Sequence, residues 1–415
     1  MTLSEELTWR GFVNQTTFKD ITILDNEPLT FYFGVDPSAS SMQVGNLAAA
    51  MMVKHFMKHG HKAVLLVGGA TGLIGDPDGK AEERTLKSME EINANKQAIA
   101  AQYRSLFEGM DFRVVDNYDW FRDMGYLQFL REVGKHVPMR QMMQREFVQS
   151  RLSEDGAGIS YAEFSYVLIQ GYDFLHLYRE YGVTLQLCGS DQWGNSIAGV
   201  ELIRRLTGAE AHVWSTPLII NKSTGKKFGK SEGGAVWLDP ARTSPTQFYQ
   251  FWINADDEGV EDYLKTFTEL DKAEVDHIMS EHRENPGARQ AQTHLARAVT
   301  ALVHGDEQMR QAELVTSFLT GKRPIAEVDE VTLAVVRQEL ADVITSETGS
   351  VLQALVDGGL AESVSDARRL LKGNAISIDG IKIARENFEA GDFHGGRLML
   401  KKGKKFKDTI LVELG

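Results

Sequence analysis

The amino-acid sequence predicts an α/β protein: a doubly wound (Rossmann-type) parallel sheet, followed by a helical domain and a small α+β domain. Three observations predict this order. Thr30–Val35 is a short aromatic and β-branched strand that is followed by a helix and a second strand, which is how a doubly wound sheet begins. After Pro240 the apolar residues recur at helical spacing. Beyond Val351 a helix precedes an alternating segment and the turn Asp379-Gly380.

The first domain is expected to place its site at the ends of its strands. Asp36-Pro37-Ser38 ends the first strand, and apolar spacing predicts a helix over Val44–Met57. Ala63–Val67 is predicted to be the second strand, and Leu185–Cys188 a later strand of the same sheet. Ligands of such sheets bind beyond the carboxyl ends of the strands. The polar residues after these strands are therefore candidate binding residues.

The remaining segments divide the chain into expected domains. Tyr126–Leu152 is helical in pattern and rich in Met and Phe, which favours core or a subunit interface over a cofactor pocket. Helices are also predicted over four later ranges: Thr246–Trp252, Val260–Leu270, Ala273–Ser280 and Ala288–Val303. We expect a catalytic domain over residues 1–222 with a helical insertion near 105–160, a helical domain over 223–325, a linker over 326–350 and the α+β domain over 351–415.

Composition narrows the class of protein. At 415 residues, two or three domains are expected, and 42% hydrophobic residues suit packed domains. No apolar run approaches the roughly 18 residues that span a bilayer. The single cysteine, Cys188, excludes an internal disulfide and a multi-thiolate zinc site. Since the first residues also lack the pattern of an export signal, a cytoplasmic location is expected.

Charge is unevenly distributed. The net charge of -13 argues against indiscriminate nucleic-acid binding. Val351–Gly415 nevertheless contains 11 Lys and Arg against 9 Asp and Glu, and Arg397–Lys407 holds six basic residues and no acid. This pattern indicates either a local RNA contact or a solvated lysine run on an exposed turn.

Three segments can carry chemistry. Gly68–Asp76 is glycine-dense after a strand, but it has neither P-loop nor dinucleotide-binding spacing. Gln43-Val44-Gly45-Asn46 lies at a helix N-terminus, where free N–H groups and a glycine suit a nucleotide, although an ordinary polar helix start is the alternative. Lys227–Ser231 lies in a polar, glycine-rich stretch that cannot pack as a core. Its lysines suit the charge on a leaving pyrophosphate, or else a solvated loop.

Two further basic residues and a histidine group complete the candidates. Lys80 and Arg84, in another polar loop, could face the same phosphates from the opposite side. His55, His59 and His61 crowd one segment, and a solvated helix end is favoured there over a metal site.

Gln43–Asn46 and Lys227–Ser231 together resemble the two signature segments of class I aminoacyl-tRNA synthetases, and the sequence between them resembles that of bacterial-type tyrosyl-tRNA synthetases. The resemblance runs in order from about residue 5 to the end of the sequence. Its blocks are Tyr32–Ser38, Gly68–Pro77, Phe164–Phe174 and Gly189–Asn195. The last domain, with Ser365–Leu371 and Ala375–Gly380, is similar to an S4 RNA-binding domain.

The resemblance implies a role for each matching residue. The phenol of the substrate L-tyrosine is expected at Tyr32 and Asp173, its ammonium at Asp76, Tyr166 and Gln170, and its carboxylate near Gln192. The implied ATP-binding residues are Gly34, Asp36, Gly45, Asn46, Gly189, Asp191 and Lys230. The implied catalytic residues are Ser38, Gln43, Lys80, Arg84, Lys227 and Lys230. The implied tRNA contacts are Arg368, Arg369, Lys401, Lys402, Lys404 and Lys405.

The implied activity is that of a tyrosine–tRNA ligase. ATP is expected as a substrate that brings Mg²⁺ with it, with no tightly bound cofactor and no protein metal site. The implied partners are L-tyrosine, ATP and tRNA(Tyr), and a homodimer without membrane attachment is expected. Gln43 departs from the family pattern, which has histidine at this position. Glutamine donates a neutral N–H but cannot become a cation, so its phosphate contact is expected to be weaker or differently placed.

Two other functions are weighed against this one. A related class I activity, such as tryptophan activation or adenylyl transfer, would not need the hydroxyl partners Tyr32 and Asp173. An RNA-binding protein that had lost catalysis would not need Lys227 and Lys230. Tyrosine-dependent exchange of pyrophosphate into ATP distinguishes all three.

Overall fold

The computed structural model describes residues 1–77, 86–153, 156, 158–225, 227–231, 234–340, 342–346, 349–403 and 408–414. The chain forms two compact units. The first comprises Met1–Arg242 and Ala255–Leu295, and the second Thr243–Asn254 and Ala296–Gly415. None of the helices in the described part of the chain combines the length and hydrophobicity needed to cross a bilayer.

The first unit contains a six-stranded sheet and a two-stranded ribbon. The sheet strands are β1 (Gln15–Thr16), β2 (Thr30–Val35), β3 (Lys62–Val67), β4 (Phe112–Asp116), β5 (Leu185–Gly189) and β6 (His212–Thr216), and the ribbon is β7 (Lys230–Ser231) with β8 (Gly234–Ala235). The strand order is β1-β6-β5-β2-β3-β4. All neighbours are parallel except β1 and β6. The predicted doubly wound parallel sheet is confirmed.

Helices cover both faces of this sheet. Those before the ribbon are α1 (Leu3–Arg10), α2 (Val44–Lys58), α3 (Gly69–Ile74), α4 (Met89–Leu106), α5 (Tyr118–Phe121), α6 (Tyr126–Glu132), α7 (Met139–Met143), α8 (Glu146–Leu152), α9 (Tyr161–Tyr181) and α10 (Trp193–Thr207). Successive strand residues point to opposite faces. Phe31 accordingly packs on Phe56 of α2, whereas Tyr32 packs on Phe174 of α9.

The helices after the ribbon follow the predicted order. They are α11 (Pro245–Ile253), α12 (Val260–Phe267), α13 (Lys272–Glu284), α14 (Gln290–His304), α15 (Asp306–Leu319), α16 (Glu330–Glu339), α17 (Val351–Asp357) and α18 (Val364–Lys372). The structure also contains 3₁₀ turns at Ile21–Asp25, Gly134–His136, Ser190–Gln192, Pro286–Ala288, Ile325–Glu327 and Ala390–Asp392.

A buried ion cluster joins α1 to α2 and α12 in the first unit. The Arg10 guanidinium donates to Glu6 Oε1 (2.8 Å) and to the carbonyls of Lys265, Thr268 and Leu270 just beyond and within the end of α12. His55 of α2 lies 3.1 Å from the same Glu6 oxygen. The free carbonyls at the end of α12 are thereby paired with a cation, which the helix dipole also favours.

The second unit contains the other sheet. Its strands are β9 (Val343–Ser346), β10 (Ile376–Ile378), β11 (Ile381–Lys382), β12 (Arg397–Lys402) and β13 (Thr409–Leu414), in the order β11-β10-β12-β13-β9. Leu398 and Leu400 of β12 face a core built with α17 and α18. Met399, which alternates with them, faces a second core built with α15 and α16.

The range expected to be a linker, 326–350, carries regular structure. It contains α16 and β9, and β9 pairs in parallel with β13, with Val343 opposite Leu411. The linker expectation therefore needs correction, because this segment supplies an edge strand of the second sheet. The compact units also divide the chain at positions other than 222 and 325, so those functional boundaries stay predictions.

Candidate active site at the switch point of the first sheet

The site residues gather where the winding of the first sheet reverses. From β2 the chain goes outward through β3 and β4 on one side, whereas β5 and β6 lie on the other side. The carboxyl ends of β2 and β5 therefore border a crevice, where doubly wound sheets bind ligands. Asp36 follows β2 directly, and Ser190–Gln192 follows β5.

Tyr32 and Asp173 form the deepest part of this site. Tyr32 is 2% exposed, and within the described residues its hydroxyl has no hydrogen-bond partner. Burial raises the pKa of Tyr32 well above its ordinary value, and the nearby Asp173 carboxylate raises it further. A buried hydroxyl without a partner costs free energy, so a ligand group that hydrogen-bonds to it stabilises the protein.

Two side chains hold Asp173 in place. Asn117 Nδ2 donates to Asp173 Oδ2 (3.0 Å), and Trp120 Nε1 donates to Asp173 Oδ1 (2.9 Å). Burial raises the pKa of Asp173 well above its usual value, while these two donors oppose that rise. Each donor occupies one oxygen, which fixes the carboxyl plane and leaves a further lone pair on each oxygen for a ligand.

Asn117 is a site residue that the sequence analysis missed. It is fully buried, and its amide also accepts from the Ala70 N–H (2.6 Å) and donates to Thr71 Oγ1 (3.1 Å). It thus joins the glycine-rich segment of α3 to Asp173. Its position immediately after β4 was the available signal, because polar residues at strand ends of a parallel sheet share one edge.

Two of the three residues expected around the ammonium group, Asp76 and Tyr166, are hydrogen-bonded to other expected site residues. Gln192 Nε2 donates to Asp76 Oδ2 (2.5 Å), and Asn195 Nδ2 donates to Gln192 Oε1 (3.0 Å). The Tyr166 hydroxyl donates to Asp36 Oδ2 (2.7 Å). In the described chain, Gln170 Oε1 is buried without a hydrogen-bond partner. Carboxylates and orphaned carbonyl oxygens are acceptors, as a ligand ammonium requires.

The electrostatics of this group are those of a buried acidic cluster. Burial raises the pKa of Tyr166 well above its ordinary value, and the Asp36 and Asp76 carboxylates raise it further. Tyr166 therefore stays a neutral donor to Asp36. The structure connects a residue expected at the ammonium, Tyr166, with one expected at ATP, Asp36, so the two expected subsites are adjacent.

The expected nucleotide side has open space at its glycines. A Cβ built on Gly45 meets nothing within 4 Å, and one on Gly34 makes only ordinary contacts, the nearest at 3.7 Å. By contrast, a Cβ on Gly189 would come 2.5 Å from Asp191 Oδ1. A side chain at position 189 would thus displace the Asp191 carboxylate, whereas Gly45 and Gly34 leave room that a flat ligand can occupy.

The two signature segments meet at the start of α2. The Val44 N–H donates to Val236 O (3.0 Å), and the Val236 N–H donates to Gly229 O (3.0 Å). Gly229 has a φ of +96°, and a Cβ there would lie 3.2 Å from the Gly45 nitrogen. Gln43 caps α2 by donating its N–H to Asn46 Oδ1 (2.9 Å). The backbone therefore brings together the two segments, both of which carry residues expected to face the phosphates of ATP.

The expected catalytic cations are described only in part. The Lys227 side chain is exposed, and Lys230 begins β7. Ser38 is also exposed, and its N–H donates to Asp36 O (2.8 Å). Lys80 and Arg84 lie outside the described residues.

The described residues expected to contact RNA all have partners within the second unit. Arg368 pairs with Glu386 (2.7 Å) and Arg369 with Asp366 (2.6 Å) on the exposed surface. Lys402 Nζ donates to Leu360 O (2.9 Å). Lys404 and Lys405 lie outside the described residues.

The expectation that Lys401 contacts RNA is wrong, because this side chain is buried. It is 8% exposed, lies on the same face of β12 as Met399, and its Nζ donates to Leu319 O (3.3 Å). Burial lowers the pKa of Lys401. An ammonium in this position cannot reach a phosphate outside the protein.

The expectation that the group of His55, His59 and His61 lies at a solvated helix end is wrong for two of the three. His55 and His61 are buried, not solvated, and His61 Nε2 lies 3.0 Å from Leu24 O. Across the described ranges no group of three or more His, Cys, Asp or Glu is arranged to hold a metal ion.

Comparison with known proteins decides the family. The profile of the class I tRNA synthetases (W and Y) matches residues 24–319, more than half of the chain. The chain belongs to the class I tRNA synthetases. Within this family it is 42% identical to the tyrosine–tRNA ligase of Bacteroides fragilis over the whole length of both chains. It is 44% identical to that of Bacillus caldotenax over 92% of each.

Solved class I synthetase structures share the fold. The C-terminally truncated mitochondrial tyrosyl-tRNA synthetase of Aspergillus nidulans superposes with a TM-score of 0.68 at 29% identity, covering 75% of this chain and 92% of that one. The tryptophanyl-tRNA synthetase of Encephalitozoon cuniculi has a TM-score of 0.56 at 14% identity, covering 75% of this chain and 89% of that one, which shows a common fold alone. The predicted fold class and family are confirmed.

Proposed function

We propose that the chain is a tyrosine–tRNA ligase, which joins L-tyrosine to ATP as tyrosyl-adenylate and then transfers the tyrosyl group to the 3′ end of tRNA(Tyr). The observation that carries this proposal is the buried pair of Tyr32, whose hydroxyl has no partner in the described chain, and Asp173, which two donors hold in place. The full-length relatives bearing this activity in their names support it.

Selection of tyrosine follows from hydrogen-bond capacity. A phenol both donates and accepts, so it can donate to Asp173 and accept from Tyr32. Phenylalanine would leave the Tyr32 hydroxyl unpaired and would give Asp173 no hydrogen bond beyond those from Asn117 and Trp120, at a cost of about 1–3 kcal/mol for each lost contact. The ammonium of the amino acid is assigned to Asp76, Tyr166 and Gln170, where the acidic cluster supplies charge complementarity.

Activation is proposed to proceed by in-line attack of the tyrosine carboxylate on the α-phosphate of ATP, which releases pyrophosphate. The carboxylate is already ionised at neutral pH, so no general base is needed. Acceleration comes from positioning and from cations around the leaving phosphates. We assign this role to Ser38, Gln43, Lys80, Arg84, Lys227 and Lys230, with Mg²⁺ entering on ATP. The open faces of Gly45 and Gly34 are assigned to the nucleotide, with Asp36, Asn46, Gly189 and Asp191 around it.

Tryptophan activation is the second candidate, because the family includes enzymes for both amino acids. Indole carries an N–H donor but no acceptor that could pair with the Tyr32 hydroxyl. The Tyr32 and Asp173 pair therefore favours tyrosine.

We propose two macromolecular partners, a second copy of the chain and tRNA, from the surface residues of the two units. Exposed apolar side chains concentrate on and beside α6–α9, including Leu127 (79% exposed), Tyr126, Met139 and Tyr161. A patch of this kind suits a subunit interface, and we assign it to a homodimer. The second unit, with its Arg368 and Arg369, is assigned to tRNA, and the cytoplasm is the proposed location, as the site of translation.

The deciding experiment is tyrosine-dependent exchange of labelled pyrophosphate into ATP, followed by charging of tRNA(Tyr). We expect exchange with tyrosine at a rate at least a thousandfold above that with phenylalanine or tryptophan at equal concentration, since the loss of hydrogen bonds to two buried polar groups costs several kcal/mol in total. Exchange that is faster with tryptophan would refute the tyrosine assignment. Binding of tRNA without any exchange would refute the enzyme assignment.

A further inference from the structure

Phe228 is an apolar side chain in the middle of the lysine loop, Lys227–Ser231. It is only 7% exposed, although the loop around it is polar and rich in glycine. Its ring stacks on Tyr263 of α12, with centroids 4.3 Å apart and an interplanar angle of 28°. A second ring of α12, Phe267, lies 5.7 Å away. The loop is therefore held at one point by two rings of a helix.

The receiving ring is itself fixed. The Tyr263 hydroxyl donates to Asp256 Oδ2 (2.9 Å), and Asp256 Oδ1 accepts from the Gly259 N–H (2.6 Å). A Cβ on Gly259 would come 2.5 Å from the Tyr263 ring, so the turn before α12 closes directly on it. The surface that Phe228 meets is thus preformed by Asp256, Gly259 and the first turn of α12.

The backbone carries this restraint to the nucleotide side of the site. The Phe228 N–H donates to Ile219 O (2.9 Å), and the next residue, Gly229, lies against the Gly45 nitrogen. Lys222, which precedes the loop, pairs with Asp262 of the same helix α12. Phe228 and Lys222 thus tie the loop and the segment that leads into it to α12, next to the start of α2.

We propose that Phe228, Tyr263 and Phe267 form an aromatic anchor that positions Lys227 and Lys230 against the triphosphate of ATP. This inference rests on the catalytic roles proposed above for the two lysines. A Gly- and Lys-rich loop loses much conformational entropy when it orders, and a pre-ordered loop avoids that loss during the reaction. Phe228 is a positioning residue in this scheme, since it acts through the lysines on either side of it.

The primary test compares Phe228→Ala with Phe228→Met and a matched control. Phe18→Ala is the control, because Phe18 is similarly buried (8% exposed) and stacked on a ring, His212, at 4.1 Å. For Phe228→Ala we expect kcat/KM for ATP in pyrophosphate exchange to fall about 10–100-fold, as displacement of a reacting group by about 1 Å does. The tyrosine Kd, measured without ATP, should stay within twofold. Phe228→Met should recover most of the lost kcat/KM. Phe18→Ala should leave both kcat/KM for ATP and the tyrosine Kd within twofold of the wild type.

A double-mutant cycle separates positioning from general stability. Single-turnover formation of tyrosyl-adenylate is measured for Phe228→Ala in the wild-type and in a Lys227→Ala, Lys230→Ala background. If the ring acts through the lysines, its loss costs less than twofold in the second background. Equal losses in both backgrounds, or a loss below twofold in the wild type, overturn the proposal. If Phe228→Ala fails to fold, Phe228→Val, which has a shorter apolar side chain than Met, is scored by the same criteria.

If the proposed function is wrong, the unaltered protein will show no tyrosine-dependent exchange, which none of the outcomes above includes. The anchor is then judged by the rate of trypsin cleavage after Lys227, which requires no activity. Cleavage should be at least tenfold faster in Phe228→Ala than in Phe18→Ala, and equal rates overturn the anchor.

Discussion

At the scale of single residues, the site combines buried polar groups that have hydrogen-bond partners within the protein with buried polar groups that have none among the described residues. Asp173 has a donor on each oxygen, whereas the Tyr32 hydroxyl and Gln170 Oε1 are buried without partners in the described chain. Such orphaned groups lower the stability of the protein alone and raise its affinity for a ligand that completes them. Stability and binding should therefore respond in opposite directions to their removal.

Tyr32→Phe tests that opposition. Removal of an unpaired hydroxyl should leave the free energy of unfolding unchanged or raise it by up to about 1 kcal/mol. The same change should weaken tyrosine binding and reduce discrimination against phenylalanine by about tenfold, the equivalent of one hydrogen bond. Urea unfolding and exchange kinetics with both amino acids measure the two effects. A variant that loses stability while keeping its discrimination would contradict the role of the hydroxyl.

Asn117→Ala tests the support of Asp173. It leaves the Ala70 N–H and one Asp173 oxygen without their partners, so we expect a loss of about 1–3 kcal/mol in the free energy of unfolding. The tyrosine Kd should rise at least fivefold. Trp120→Phe is the comparison, since it removes one donor to Asp173 and keeps a ring against His176. It should show the smaller loss of stability, and a tyrosine Kd unchanged in both variants would show that Asp173 needs no such support.

At this scale a sequence suggests site residues where they stand in local blocks, and it misses residues whose role depends on distant segments. Tyr32, Asp76 and Asp173, which we assign to the ligand, stand in recognisable blocks. The role of Asn117 arises from contacts with two other parts of the chain, which a single sequence does not show. Lys401 was misassigned because the lysine run hides the strand alternation that places it on the buried face with Met399.

At the scale of elements, the first unit is held together partly by charge. The Glu6 carboxylate contacts Arg10 on its own helix and His55 of α2, while His59 lies 3.6 Å away. Burial tends to raise the pKa of Glu6, but His55 and Arg10 outweigh this and lower it from its ordinary value of 4.5 to about 2. The ion cluster links the N-terminal helix to the helix that opens at the nucleotide side.

The pKa of Glu6 predicts an acid-sensitive contribution to stability. Because it is lowered on folding, the contribution is complete above pH 4.5 and is lost as the pH falls through about 2. Glu6→Gln should lower the free energy of unfolding by about 1–3 kcal/mol at pH 7. The difference from the wild type should shrink steadily between pH 4.5 and 3. Exposed Glu27→Gln is the control, and a Glu6→Gln deficit that does not depend on pH would contradict this account.

Elements with strong local patterns were predicted well, whereas β9, which has a weak pattern, was not. The strand Thr30–Val35 and the helix that begins at Val44 were predicted with those limits. β9 was assigned to a linker because its four residues carry little pattern of their own. Its strand character comes from pairing with β13, which lies far later in the chain.

At the scale of the whole molecule, the proposed function divides between activation and RNA recognition. The residues that we assign to tyrosine and to the nucleotide belong to the first unit, and Arg368 and Arg369 belong to the second. Changes in the second unit should therefore affect charging of tRNA and leave the exchange reaction, which needs no RNA, untouched.

A pair of variants measures this division. Arg368→Gln with Arg369→Gln should weaken tRNA binding and reduce the slope of log affinity against log salt by about 1–2, as expected for one or two lost phosphate contacts. Lys401→Met should change neither, because this ammonium already donates to Leu319 O. Filter binding over a range of salt concentrations measures both. A lower salt slope in Lys401→Met would restore the original assignment of this lysine.

The order of strands in the second sheet has a consequence for biosynthesis. β13 is synthesised after every other strand of that sheet, yet it lies between β12 and β9 in the interior. Until Thr409–Leu414 has left the ribosome, β9 and β12 expose unpaired backbone edges to other nascent chains. The unit that we assign to RNA therefore matures after the sheet of the first unit, whose strands all emerge earlier.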